Sequence, residues 1–195
     1  MIATKKDLAY YRECDRIALG KKAKRPGLFG EEIWKFQICM RKLDYCSNRA
    51  SFRFRLMRLY YRYRYHKLSL KLGFSIPYNK VGPGLAIVHY GTIVISSTVK
   101  IGENCRIHAG VNIGASGGET KAAEIGNNVY IGPGAKIVGN VHIGDNCVIG
   151  ANAVVVRDVP PSVTVGGIPA KIISQNDSSK HLIKSTEIIE GDSIL

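Results

Sequence analysis

The sequence predicts a left-handed parallel β-helix with an α-helical N-terminal extension. Three observations carry that reading. First, an aliphatic residue, often followed by glycine, recurs every six positions at Ile101, Ile107 and Ile113. After a break the frame resumes at Ile125, Ile131, Ile137, Ile143, Ile149 and Val155. Second, asparagine or glycine stands at Asn104, Gly110, Asn128, Gly134, Gly139 and Asn146, placed for corners that need φ > 0. Third, residues 4–72 lack this period and carry helix signals instead.

A period of six fits neither a helix, at about 3.6 residues, nor a plain alternating strand, at about 2. It fits a short strand, a turn and a short strand again. Three such units close one triangular coil of about 18 residues, with the aliphatic side chains stacked inward as ladders. Parallel crossovers are ordinarily right-handed, and hexapeptide repeats are the exception. Upstream, Val81-Gly82 and Ile87 keep the step, then the frame slips by two residues before Ile95. That slip predicts a distorted coil around His89, Tyr90, Gly91 and Thr92. The second break, residues 114–124, reads GASGGETKAAE and puts Glu119 where an inward aliphatic residue is due. It predicts a loop leaving the coil, and long loops in compact domains tend to carry function.

Thr4 followed by Asp7 reads as a capped helix start. Residues 21–29 read as a loop, 31–46 as a second helix and 51–72 as a third. The expected division is an α-helical region 1–72, a β-helix 73–173 and a mobile tail 174–195. Pro160, Pro161 and Pro169 end the ladder of hydrogen bonds.

The 195 residues carry a net charge of +13 and 45% hydrophobic residues, which excludes a wholly disordered chain. No acid lies between Asp44 and Glu103, a stretch rich in arginine and lysine. Such a field attracts an anion: cofactor phosphates, a phosphorylated or uronic-acid sugar, or an anionic membrane face. A solvated basic face is the plain alternative. In the third helix Tyr60, Tyr61, Tyr63 and Tyr65 alternate with Arg62 and Arg64. The tyrosines are expected to pack on the helical cap or a neighbouring subunit; base stacking and a membrane surface are the alternatives. The N-terminus has no apolar signal core, and no apolar run is long enough to span a bilayer. A cytoplasmic protein is expected, with the inner membrane face as its furthest reach. Five widely spaced cysteines without a CxxC pair read as free thiols.

Several segments together resemble serine acetyltransferases. They are His89-Tyr90-Gly91-Thr92-Ile93-Val94, the loop with Ser116-Gly117-Gly118, the run from Ile125 to Val155, the closing Gly166-Gly167-Ile168-Pro169-Ala170-Lys171, and the N-terminal Asp7–Asp15 segment. The same features mark the serine acetyltransferase-like enzymes of capsule and exopolysaccharide clusters. The resemblance implies acetyl-CoA as co-substrate, trimers with a hexamer as the larger option, and His89 as catalytic histidine. It places the substrate-contacting aspartate at Asp15 and CoA-contacting positions at Ala135 and Ala153. The family's histidine-orienting acid would fall at Phe74. Val88 stands where an aspartate precedes the histidine, and Lys121-Ala122 stand where an arginine and a second histidine belong. Those departures favour a sugar of surface-polysaccharide assembly over L-serine as acceptor; the retained N-terminal segment favours serine.

Acetyl transfer to a hydroxyl needs a base, and histidine titrates near working pH. His108, 19 residues beyond His89 and close to one coil, is placed to add a hydrogen bond. Gly117 and Gly118 let the loop approach a ligand closely, and Lys121, Lys136 or Lys171 can meet CoA phosphates. His142, His66 and His181 give no signal. No His-x4-His spacing appears, so no metal is expected. A non-catalytic scaffold docking on membrane or nucleic acid through 49–71 is the reading of another class, with nucleic acid the weaker partner.

Overall fold

The computed structural model describes residues 1–117 and 120–192. Three helices come first: α1 (Lys5–Ala18), α2 (Glu32–Ser47) and α3 (Phe52–Leu72). Thr4 caps α1 as expected, accepting from the Asp7 amide while the Asp7 carboxylate accepts from the Thr4 amide.

Beyond Gly73 the chain winds as a three-sided coil of short parallel strands. One side stacks Phe74–Ser75, Ile93–Ile95, Asn112–Gly114, Lys136–Val138 and Val154–Val155. The second stacks Ala86–Ile87, Arg106–Ile107, Tyr130–Ile131, Val148–Ile149 and Thr164–Gly166. The third stacks Lys100–Ile101, Glu124–Ile125 and His142–Ile143. Every third strand therefore shares a sheet, as a triangular coil demands. The register follows the repeat. Val94 faces Asn112 and Lys136 faces Val154, but Lys100 faces Glu124, because residues 114–124 lengthen that coil. All nine aliphatic residues of the Ile101 frame are buried in one continuous core.

All six expected corner residues have positive φ, between 52° and 94°. Three of the asparagines also bond one another across coils. Asn104 Nδ2 donates to Asn128 Oδ1 and Asn128 Nδ2 to Asn146 Oδ1, each at 3.0 Å. The glycines after the aliphatic residues serve a different purpose. A Cβ on Gly102 would sit 2.6 Å from the Gly126 carbonyl oxygen, so the coils can stack here only without a side chain.

The first coil has an upper backbone edge with no coil above it, and unpaired backbone groups there need partners. α2 supplies them. Gln37, Arg41 and Asp44, spaced to share one helix face, are all buried. Gln37 Nε2 donates to Leu85 O at 2.7 Å, Arg41 donates to Val81 O and Gly82 O at 2.7 and 2.6 Å, and Asp44 accepts from the Asn79 amide at 2.7 Å. Burial pushes the Asp44 carboxyl up to about 6, against the pull of Arg41.

Within the tail, α4 (Ser185–Asp192) and the segment before it dock on the asparagine corner. Ser178, Ser185 and Thr186 are buried there. Asn104 Nδ2 donates to Thr186 Oγ1 at 2.7 Å, and Ser185 Oγ donates to Asn104 Oδ1 at 2.9 Å. Short polar side chains read as solvated in sequence, yet these match the amides of the corner. All five cysteines are free and buried. No helix among the described residues is long and apolar enough to cross a membrane.

Candidate active site

The two-residue slip is real, and the helical region holds it in place. Ile87 faces Ile107, 20 positions on, whereas Ile95 faces Ile113, 18 on, so the extra residues lie between them. Gly73 ends α3 with φ 75°, and the distorted segment hooks onto that end. The Gly91 amide donates to Leu72 O and the Ile93 amide to Gly73 O, each at 3.0 Å. Gly91 has φ 133°, a conformation open to glycine and strained for other residues. His89 and Tyr90 are both exposed on this shelf.

The slip also changes how His108 meets His89. Val88, not His89, is level with His108 in the ladder. The rings still lie 6.1 Å apart, and His108 continues onto Tyr130 at 5.0 Å and Tyr130 onto His181 at 5.1 Å. A row of four rings thus runs down the second side. His108 Nε2 is buried without a hydrogen-bond partner, and so is Arg106 Nε two residues earlier. Burial, then the Arg106 charge and His89, hold the His108 imidazole below its ordinary pKa. It is therefore neutral at pH 7 beside an exposed histidine.

Two hollows flank this row. One, about 360 Å³, lies between the helices and the coil and is lined by Ile33, Trp34, Val88, Tyr90, Arg106 and Ile183 among others. The other, about 410 Å³ and more open, is lined by Arg106, His108, Tyr130, Lys180, His181 and Ile183 among others. Arg106 and Ile183 belong to both. Tyr130, His181 and Arg106 carried no sequence signal as site residues. Tyr130 lies 24 positions from Arg106 because of the loop between them, which hides the stacking from a simple 18-residue count.

The remaining expected residues fall in separate places. Asp15 is corrected. Its carboxylate is 2% exposed and fully engaged, accepting from Arg41 Nε at 2.8 Å, from Arg41 Nη2 at 3.0 Å and from the Leu85 amide at 3.0 Å. It belongs to the cap on the coil edge, with no free oxygen facing a substrate. Lys121 is exposed and Ala122 buried, rejoining the core with Ala123. Phe74 is buried against Phe36, so no acid stands at that position. Gly117 is exposed with open space around it, and Gly118 lies outside the described residues. Ala135 and Ala153 are buried one coil apart. Their carbonyls already accept from the Asn112 and Lys136 amides and their side chains lie in the core, so among the described residues neither presents a free group to a ligand. Lys136 donates to Gly110 O, at the corner two residues after His108. Lys171 is exposed on the antiparallel strand Lys171–Ser174 that closes the coil. Among the described residues, no hydrogen bond or ion pair joins Lys121 or Lys171 to the histidines.

The thiols are excluded as nucleophiles by the same geometry. Burial pushes Cys105 and Cys14 up to about 12 and Cys39 to about 11, where a thiolate is not available at neutral pH. An exposed histidine beside a second histidine that lines the more open hollow suits proton removal from an acceptor.

Comparison with known proteins shows what the chain is similar to. Residues 122–157 match the bacterial transferase hexapeptide family, six repeats. The chain is 41% identical over 111 residues to a serine acetyltransferase of Synechococcus elongatus, a match covering 55% of this chain and 46% of that protein. It is 44% identical over 102 residues to a serine acetyltransferase of Staphylococcus aureus, covering 51% and 48%. The chain carries hexapeptide repeats over residues 122–157 and resembles serine acetyltransferases. It spans about half the length of the curated relatives it matches. Among solved structures, serine acetyltransferase from Brucella abortus superposes with a TM-score of 0.71 at 24% identity, covering 89% of this chain and 72% of that one. Serine acetyltransferase from Neisseria gonorrhoeae superposes at 0.64 with 28% identity, covering 88% and 70%. A serine acetyltransferase solved with CoA gives 0.70 at 25% identity, covering 87% and 71%. The N. gonorrhoeae enzyme has also been solved with serine.

Proposed function

We propose that this chain is an acetyl-CoA-dependent O-acetyltransferase on a left-handed coil, with His89 as general base. The observation that carries the reading is the exposed His89 on a backbone shelf fixed by Leu72 and Gly73, 6.1 Å from the His108 ring. His89 takes the proton of an acceptor hydroxyl as that oxygen attacks the thioester carbonyl. The new C–O bond forms, the C–S bond breaks, and the proton passes to the departing CoA sulfur. No acyl-enzyme is needed, in keeping with the buried, protonated thiols. His108, held neutral, is a positioning residue for the His89 ring. The coils that carry Ala135 and Ala153, the loop at Gly117 and Gly118, and the cations Lys136 and Lys171 are the places that would hold acetyl-CoA.

The acceptor is L-serine in the first instance. The named relatives are serine acetyltransferases, and they support serine ahead of the polysaccharide sugar that the sequence departures alone favoured. One set of observations keeps the sugar as second reading. Asp15 is locked in the cap, Phe74 and Ala122 are buried, and Val88 replaces an acid, so the polar contacts of the serine enzymes are absent. Assembly into trimers, with active sites between neighbours, is part of the proposal. The deciding experiment is thiol release from acetyl-CoA with L-serine and with nucleotide-linked or free hexoses. Turnover with serine supports the first reading. Turnover with a hexose alone transfers the proposal to the sugar, and the absence of release with any acceptor leaves the non-catalytic scaffold.

A further inference from the structure

The third helix is apolar on two opposite sides, and only one of them is used by the fold. Phe54, Met57, Tyr61, Tyr65 and Leu68 pack on the clusters formed with α2 and the first coil. On the other side Phe52, Leu56, Leu59, Tyr63 and Leu70 follow steps of four, three, four and seven residues. Such steps align side chains in one stripe along a helix. Each of the five is between 54% and 71% exposed. A row of bulky apolar residues this long is unusual on a free surface.

The charges around the stripe say what covers it. α3 carries seven Arg and Lys residues and no acid. At about 100° per residue, Arg53, Arg64 and Lys67 fall along one margin of the stripe and Arg55, Arg58 and Arg62 along the other. An apolar seam with cations on both margins is the pattern of a helix lying in a lipid interface. There the apolar side chains enter the headgroup boundary, and the long cationic stems reach back to phosphates. A second copy of α3 would set seven cations against seven with no acid to pair them. A nucleic-acid backbone would meet the arginines but leave the leucines facing phosphate.

We propose that α3 is a docking surface for an anionic lipid bilayer, seating Phe52, Leu56, Leu59, Tyr63 and Leu70 at the headgroup level. The surface lies on the outer side of the helical region and is independent of the acetyl-transfer reading.

The test is co-sedimentation of the full chain with vesicles. One set contains phosphatidylcholine and phosphatidylglycerol in about a 7:3 ratio, and the other phosphatidylcholine alone. Retention on the anionic vesicles is expected to exceed that on the neutral ones by about tenfold and to weaken in about 0.5 M salt. The double variant Leu56→Ser, Leu59→Ser alters only exposed positions, so its helix content by circular dichroism stays that of the wild type. It is expected to lose about tenfold in retention on anionic vesicles. Equal retention on both vesicle types, or a double variant that binds as the wild type does, overturns the proposal. A double variant whose mass by light scattering drops without vesicles overturns it too, and makes the stripe a subunit interface.

Discussion

The two interruptions of the repeat differ in how they are held. The first, at His89–Thr92, adds two residues and is fastened from behind by the end of α3, through the Gly91 and Ile93 amides. Behind α3 stands the buried cap of Asp15, Arg41, Asp44 and Gln37 on the coil edge. The second, at 114–124, lengthens its coil further and leaves through Gly114, whose carbonyl accepts from the Gly139 amide at 2.9 Å, and returns at Ala122 and Ala123. The first interruption therefore presents His89 from a segment whose backbone is held, as the placing of a catalytic base requires. The second, among its described residues, leaves Gly117 exposed with open space around it.

The comparison breaks most readily at the cap. Arg41→Ala leaves Asp15 buried without its partner and strips Val81 O and Gly82 O of their donor. The expected loss is about 3–5 kcal/mol in urea denaturation. A loss under about 1 kcal/mol means the cap does not secure the coil edge. Next comes the shelf itself. Gly91→Val forces a branched side chain to φ 133°, toward Ala109 Cβ. About 1–3 kcal/mol of stability is expected to go, with kcat falling more than KM rises. An unchanged kcat separates the shelf from the chemistry.

Acid titration sharpens the account of the cap. Asp44 binds its proton more tightly folded, up to about 6, than unfolded, at its ordinary value of 3.8. Its contribution to stability is therefore full below its unfolded pKa and is lost as pH rises through about 6. Asp44→Asn is expected to flatten the stability–pH curve between those values; a curve that keeps the wild-type slope assigns it to another group. The smallest effect belongs to the second interruption. Gly117→Ala meets nothing within 4 Å and is expected to move stability by less than about 0.5 kcal/mol. It is expected to raise KM for acetyl-CoA with kcat unchanged. An unchanged KM removes Gly117 from the cofactor path.

The repeat was legible because each inward isoleucine repeats the same environment. Asn104 and Asn128 were legible because a positive-φ corner admits few residue types. Both interruptions were visible as frame errors. The pairing of Asp15 with Arg41 was not legible, because a carboxylate in a familiar segment looks the same in sequence whether it faces substrate or an arginine. Arg41 sits 26 residues away. The trace of that contact was Gln37, Arg41 and Asp44 sharing one face of a helix otherwise rich in apolar residues. Tyr130 and His181 escaped because their stacking crosses a coil of irregular length and a tail that reads as solvated. The tail docks through Ser185 and Thr186, whose meaning depends on the Asn104 amide they meet.

The most direct test of the central claim is the rate of thiol release from acetyl-CoA, with L-serine as acceptor, for wild type and His89→Ala. His89 is exposed, so the variant is expected to unfold at the wild-type temperature. Its kcat/KM is expected to fall by about 10²–10⁴. A variant that keeps wild-type turnover contradicts the assignment of His89 as the base, and with it the view that the first interruption is where the chemistry sits.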